Sequence, residues 1–158
     1  MSDSNLRKHV IELLQGGAAH ADFDAAVAAF PVAKASLKPA GADHSAWQLL
    51  EHLRISQRDI LEFSRNPKHV SPEWPQGYWP KTEAPPGKTD WSKSVRAFRA
   101  DLKAMQDLVA DGSNDLLAPI PHGDGQTLLR EALLVADHNS YHLGQLILLR
   151  RLLEIWKT

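Results

Sequence analysis

Apolar residues recur at helical spacing along most of the chain. Leu6, Val10, Leu13 and Leu14 fit one short helix face, Gly16-Gly17 interrupts it, and Phe23, Val27 and Phe30 resume the pattern before Pro31. Residues 4–30 therefore read as a broken first helix. A second helix is predicted after Ser45, which forms an S-x-x-Q capping-box pattern with Gln48. Trp47, Leu50, Leu53, Ile60 and Leu61 supply its apolar stripe, and Asn66-Pro67 its stop. Trp91, Val95, Phe98, Leu102, Met105 and Val109 mark a third helix, which Asp111-Gly112 should close with a C′ glycine. A fourth runs from Asp124–Thr127 to about Trp156. No segment sustains strand alternation. The pattern predicts an all-α four-helix bundle, a single domain over residues 1–158.

The link between the second and third helices, residues 67–88, is long. It holds Pro67, Pro72, Pro75, Pro80, Pro85 and Pro86, with Trp74, Tyr78 and Trp79 among them. Structureless loops beyond about 12–15 residues are uncommon in compact domains and are often functional. This one fits a crossover pinned by its aromatics, a lid or substrate wall, or both.

Charge and composition narrow the choice of function. The formal net charge is −1, with acidic and basic residues interspersed, so no electrostatic footprint for nucleic acid or an anionic membrane is expected. No cysteine is present, which excludes disulfides, thiolate ligands and a cysteine nucleophile. The opening residues lack the apolar core of a signal peptide, and no apolar run reaches membrane-spanning length. A cytoplasmic protein is the expectation.

The chemistry is concentrated in the histidines. His138 and His142 stand four apart in an apolar stretch, which puts both imidazoles on one helix face about 5–6 Å apart at Cβ. Neutral imidazoles are good ligands for borderline divalent metals. One such pair among eight histidines is close to chance, so a third ligand is needed. His9, His20, His44, His52, His69 and His122 are available. Of these, His52 lies within a rigid helix. It sits about 21 Å from that helix's end, whereas His138 and His142 lie about 17 and 23 Å from the start of the fourth. With those ends level and the two helices antiparallel, all three imidazoles share one layer. That requires the second and third helices to run the same way, an up-down-down-up topology for which the long link supplies the crossover. Three histidines with open positions suit a catalytic metal site better than a closed structural one.

Nearby residues carry less. H-E-x-x-H is absent, since Asn139, Ser140 and Tyr141 separate the pair, so the zincin general base is missing. Gln145, three residues after His142, could orient a ligand or bound water, or only pack. Glu131 lies seven residues before His138, within reach of the same face. Asp137 and Asn139 suit supporting or capping contacts, and Tyr141 suits a packed aromatic whose hydroxyl finds a partner. His122, in PIPHGDGQT, reads as loop structure.

HSAWQLLEHLRISQRDIL (44–61) followed by DHNSYHLGQLILLRR (137–151) resembles the DinB-like superfamily. Its relatives include YfiT-type metal-dependent hydrolases and bacillithiol- and mycothiol-dependent transferases. The resemblance spans nearly the whole chain. It implies an up-down-down-up bundle, often dimeric, in which three histidines hold a divalent metal, commonly zinc or nickel; by motif match these are His52, His138 and His142. It further implies a small-molecule substrate, acted on by hydrolysis or by thiol-dependent S-transfer with a low-molecular-weight thiol as cosubstrate. A non-catalytic metal-binding stress-response module is the alternative. Fold does not fix chemistry.

Overall fold

A computed structural model describes residues 3–156. These fold into five α-helices: α1 (Asp3–Gln15), α2 (Phe23–Val27), α3 (Ala46–Arg65), α4 (Asp90–Ala110) and α5 (Leu128–Leu152). Among the described residues there is no strand, only an isolated bridge between Pro119 and Thr127. No described helix is long and apolar enough to cross a membrane.

The broken first helix is two separate helices. Gly16 and Gly17 adopt φ of +74° and +86°, a conformation that terminates α1 and that other residues rarely tolerate. Asp22 then caps α2 by accepting from the Ala25 N–H at 2.8 Å. The capping box at α3 forms as its pattern predicts. Ser45 Oγ accepts from Gln48 N at 3.2 Å, and Gln48 Oε1 accepts from Ser45 N at 2.9 Å. At the far end, Pro67 excludes helical geometry at Asn66, which is extended.

Two helix ends differ from expectation. α4 stops at Ala110, but Gly112 is not left-handed. The Asp111 carboxylate instead accepts from the Ser113 N–H and hydroxyl at 2.9 and 2.7 Å. α5 ends at Leu152, short of Trp156, and Glu154 turns back at φ +58°. The turn serves Arg150. Its buried guanidinium donates to the carbonyls of Ala26 at 2.7 Å and Ile155 at 3.2 Å, and lies over the rings of Phe30 and Trp156.

Helix directions follow from the side-chain pairs. Ser94 donates to Glu51, Gln57 to the Phe98 carbonyl at 2.8 Å, and Arg58 to Asp101 at 2.9 Å. These pairs advance together, so α3 and α4 run parallel. His52 meets His142, and Asn139 Nδ2 donates to Gln57 Oε1 at 2.8 Å, so α3 and α5 run antiparallel. The parallel relation of α3 and α4 demands the long link between them. The core has two apolar clusters. One is built on Phe23, Leu50, Leu53, Phe98 and Leu146, the other on Val10, Leu61, Met105, Val109 and Val135. Buried polar residues, Gln57 on α3 and Asn139 and His142 on α5, lie between the residues of one cluster and those of the other, while His52 is flanked by Leu50 and Leu53 of the first.

Candidate metal centre

Helix period and direction together set the geometry of the histidine layer. His52, on α3, and His138 and His142, one turn apart on α5, bring one ring nitrogen each to within 4.8 Å of the others. His52 Nε2 lies 3.1 Å from His142 Nε2 and 3.0 Å from His138 Nε2. His52 and His142 are buried, and His138 is partly buried.

Protonation decides what these contacts are. His52 Nδ1 donates to the Tyr78 carbonyl at 2.8 Å, and His142 Nδ1 to Gln145 Oε1 at 2.6 Å. With their protons on Nδ1, both rings turn an Nε2 lone pair inward, and two lone pairs at 3.1 Å repel. His138 Nδ1 is buried with no hydrogen-bond partner among the described residues. A proton on His138 Nε2 satisfies one of the facing lone pairs and leaves the other. A cation satisfies all three. Imidazole nitrogens bound at about 2.0–2.1 Å in a tetrahedral shell stand ~3.3–3.4 Å apart, a small expansion of the two spacings to His52 and within the 4.8 Å that encloses all three nitrogens. The group therefore fits a divalent metal.

Electrostatics agree. Burial, then the positive charge of neighbouring imidazoles, would oppose protonation of His138 and depress its pKa to about 3. His52 and His142 are also lowered, chiefly by burial, against the raising effect of the acceptors on Nδ1. Three neutral imidazoles are the form a metal requires.

The long link builds one wall of this layer. The Trp79 indole lies flat on the His52 ring, centroids 3.9 Å apart and planes 1° from parallel, and stacks on His44 at 3.9 Å. Trp74, by contrast, is mostly exposed. At Gly77, Pro72 approaches so closely that a Cβ would lie 2.7 Å from it. The Tyr78 hydroxyl donates to Asp59 Oδ2 at 2.6 Å, and burial with that carboxylate pushes the phenol up to about 12.

Beside the histidines is a cavity of about 390 Å³ lined by Asp43, His44, Leu49, Trp79, Tyr141, His142, Gln145, Leu148 and Leu152. A larger hollow of about 820 Å³ lies elsewhere, between the end of α3 and the 113–122 segment, and contains none of the three histidines.

The other residues singled out above divide as follows. Gln145 orients His142. Glu131 is buried and paired with Arg130 at 2.6 Å, outside the histidine group. Asn139 bonds Gln57, while Asp137 is exposed. Tyr141 is not a packed aromatic: it is 65% exposed, its ring 4.8 Å from that of His142 and nearly perpendicular to it. His122 belongs to its loop and donates to the Phe63 carbonyl at 2.6 Å. Asp59 was not foreseen as a site residue; Tyr78 and Trp79 were singled out only as aromatics of the link, and His44 only among the available third ligands.

An all-helical bundle with three converging imidazoles between two helices defines a class of candidate metalloproteins. Residues 15–146 match the family model of the DinB superfamily, and the chain belongs to that superfamily. No curated protein and no solved structure matches the chain.

Proposed function

We propose that the protein is a metal-dependent enzyme in which His52, His138 and His142 hold a divalent ion, zinc or nickel. It acts as a hydrolase or thiol-dependent S-transferase on a small molecule. The observation that carries this reading is the convergence of three Nε2 atoms, two with their protons committed at Nδ1, beside an open cavity. When bound, such an ion supplies Lewis acidity, polarising an electrophile or easing proton loss from water or a thiol.

The chain's own residues do the rest. The Tyr78 carbonyl and Gln145 hold two rings in the ligating tautomer. Trp79 covers the face of His52 and keeps water from that flank. Leu49, Leu148, Leu149 and Leu152 form an apolar floor for the body of the substrate. His44 offers an imidazole that can take up or release a proton beside it. A reacting thiol comes from a cosubstrate, because the chain has no cysteine. A homodimer through an exposed apolar helix face belongs to the same reading, supported by exposed apolar residues outside the cavity such as Leu13 and Leu133.

Metal analysis of untagged protein, followed by turnover assays on activated esters, amides and electrophile–thiol pairs, tests the proposal. One ion per chain and turnover that His142→Ala abolishes are the expected results. Stoichiometric metal without turnover across the panel replaces the enzyme by a non-catalytic metal-binding module. Absence of metal overturns both.

A further inference from the structure

Asp59 lies seven residues beyond His52 on α3, two turns along the same helix face and about 10 Å away. Tyr78 bridges the two. Its carbonyl accepts from His52 Nδ1 at 2.8 Å, and its hydroxyl donates to Asp59 Oδ2 at 2.6 Å. The second carboxylate oxygen is also engaged, accepting from His69 Nε2 at 2.7 Å. One carboxylate thus ties down two points of the link, while Tyr78 touches α3 at two heights. A strut fixed at both ends sets the direction of its carbonyl as well as its position. The 76–78 turn itself has short-range bonds, Gly77 N to Glu73 O, Tyr78 N to Pro75 O and Trp79 N to Gln76 O, and the Trp79 stack on His52 and His44 holds the residue that follows. The Ser56 hydroxyl, 3.5 Å from His52 Nδ1, is too distant to replace the carbonyl.

We infer that Asp59 is a positioning residue of the histidine site: through the Tyr78 hydroxyl it aims the backbone carbonyl that fixes the tautomer and rotation of His52. This role explains why a carboxylate two turns from the imidazoles is 12% exposed at its side chain and shared between a tyrosine and a histidine of the link. It presupposes the site proposed above only for its effect on metal affinity.

The test uses full-length protein with Tyr78→Phe, Asp59→Ala and Asp59→Asn, and two readouts. The first is ring ¹⁵N–¹H correlation spectroscopy of metal-free protein, which reports the His52 tautomer. The second is Co²⁺ titration followed by its visible absorption. Tyr78→Phe and Asp59→Ala are expected to move His52 from a pure Nδ1–H form to a mixture and to weaken Co²⁺ binding about tenfold, as loss of outer-shell support does. Their double variant should be no weaker than either alone, because both cut one strut. Asp59→Asn keeps an oxygen acceptor for Tyr78 and should restore both readouts. A merely structural role would lower the melting temperature without moving the His52 signals. Folded variants with wild-type tautomer signals overturn the inference; if Asp59→Ala does not fold, Tyr78→Phe decides. Wild-type protein that binds no Co²⁺ while the tautomer shifts as expected overturns the metal reading and leaves the positioning role standing.

Discussion

At the scale of single residues, the imidazoles were legible because helix geometry is periodic. Four residues make one turn, so His138 and His142 had to share a face, and counting from helix ends brought His52 to their level. Gln145 was within reach for the same reason, although spacing alone could not separate orienting from packing. The Tyr78 carbonyl was not legible. A backbone oxygen has no residue type to mark it, and the path of a non-periodic link is set by contacts that only the fold creates. Tyr141 was misread because an aromatic in an apolar helix resembles core, whereas here its ring stands at a cavity mouth. Gln145 makes the sharpest residue-level prediction. Gln145→Leu keeps the volume and removes the acceptor from His142 Nδ1. Metal affinity should fall about 10–100-fold with helicity unchanged, read by competition against a chromophoric chelator. Unaltered affinity would show that His142 is oriented by packing alone.

At the scale of elements, helix starts were read better than helix ends. Caps are local: Ser45 with Gln48 is a signal contained within four residues, and it forms as written. The end of α5 depends instead on Arg150, whose acceptors lie on α2 and in the residues that follow the helix. That is tertiary information. Ser45 also shows how a local signal acquires a second use, since its hydroxyl donates to the Glu83 carbonyl at 2.6 Å and so ties the far end of the link to α3. Ser45→Ala should therefore cost about 1 kcal/mol for the cap alone, with a further loss from the partly buried Glu83 contact. Ser45→Thr keeps the hydroxyl and should recover most of both. Chemical denaturation of the two variants checks this. An alanine variant as stable as wild type would mean that neither bond contributes measurably.

At the scale of the whole molecule, the histidine layer sits where an all-apolar core would be simpler. It is set against apolar residues on both helices, and its cost is electrostatic. The folded state holds His138 near pKa 3, and His52 and His142 below their ordinary value, whereas the unfolded chain takes up these protons near 6.5. Between those values the unfolded state binds more protons, so stability rises with pH through that window and is lost as pH falls through it. Above about pH 6.5 the contribution is complete. Metal-free protein should therefore show a urea midpoint that drops steadily from pH 7 toward pH 4, and His138→Leu should flatten that slope, because the group carrying the largest depression is gone. Excess zinc should shift the decline to lower pH, since protons must then displace a ligand that binds only the folded state. Equal slopes for wild type and His138→Leu would mean that other groups govern acid unfolding. An unchanged decline with zinc would separate the buried imidazoles from metal binding altogether.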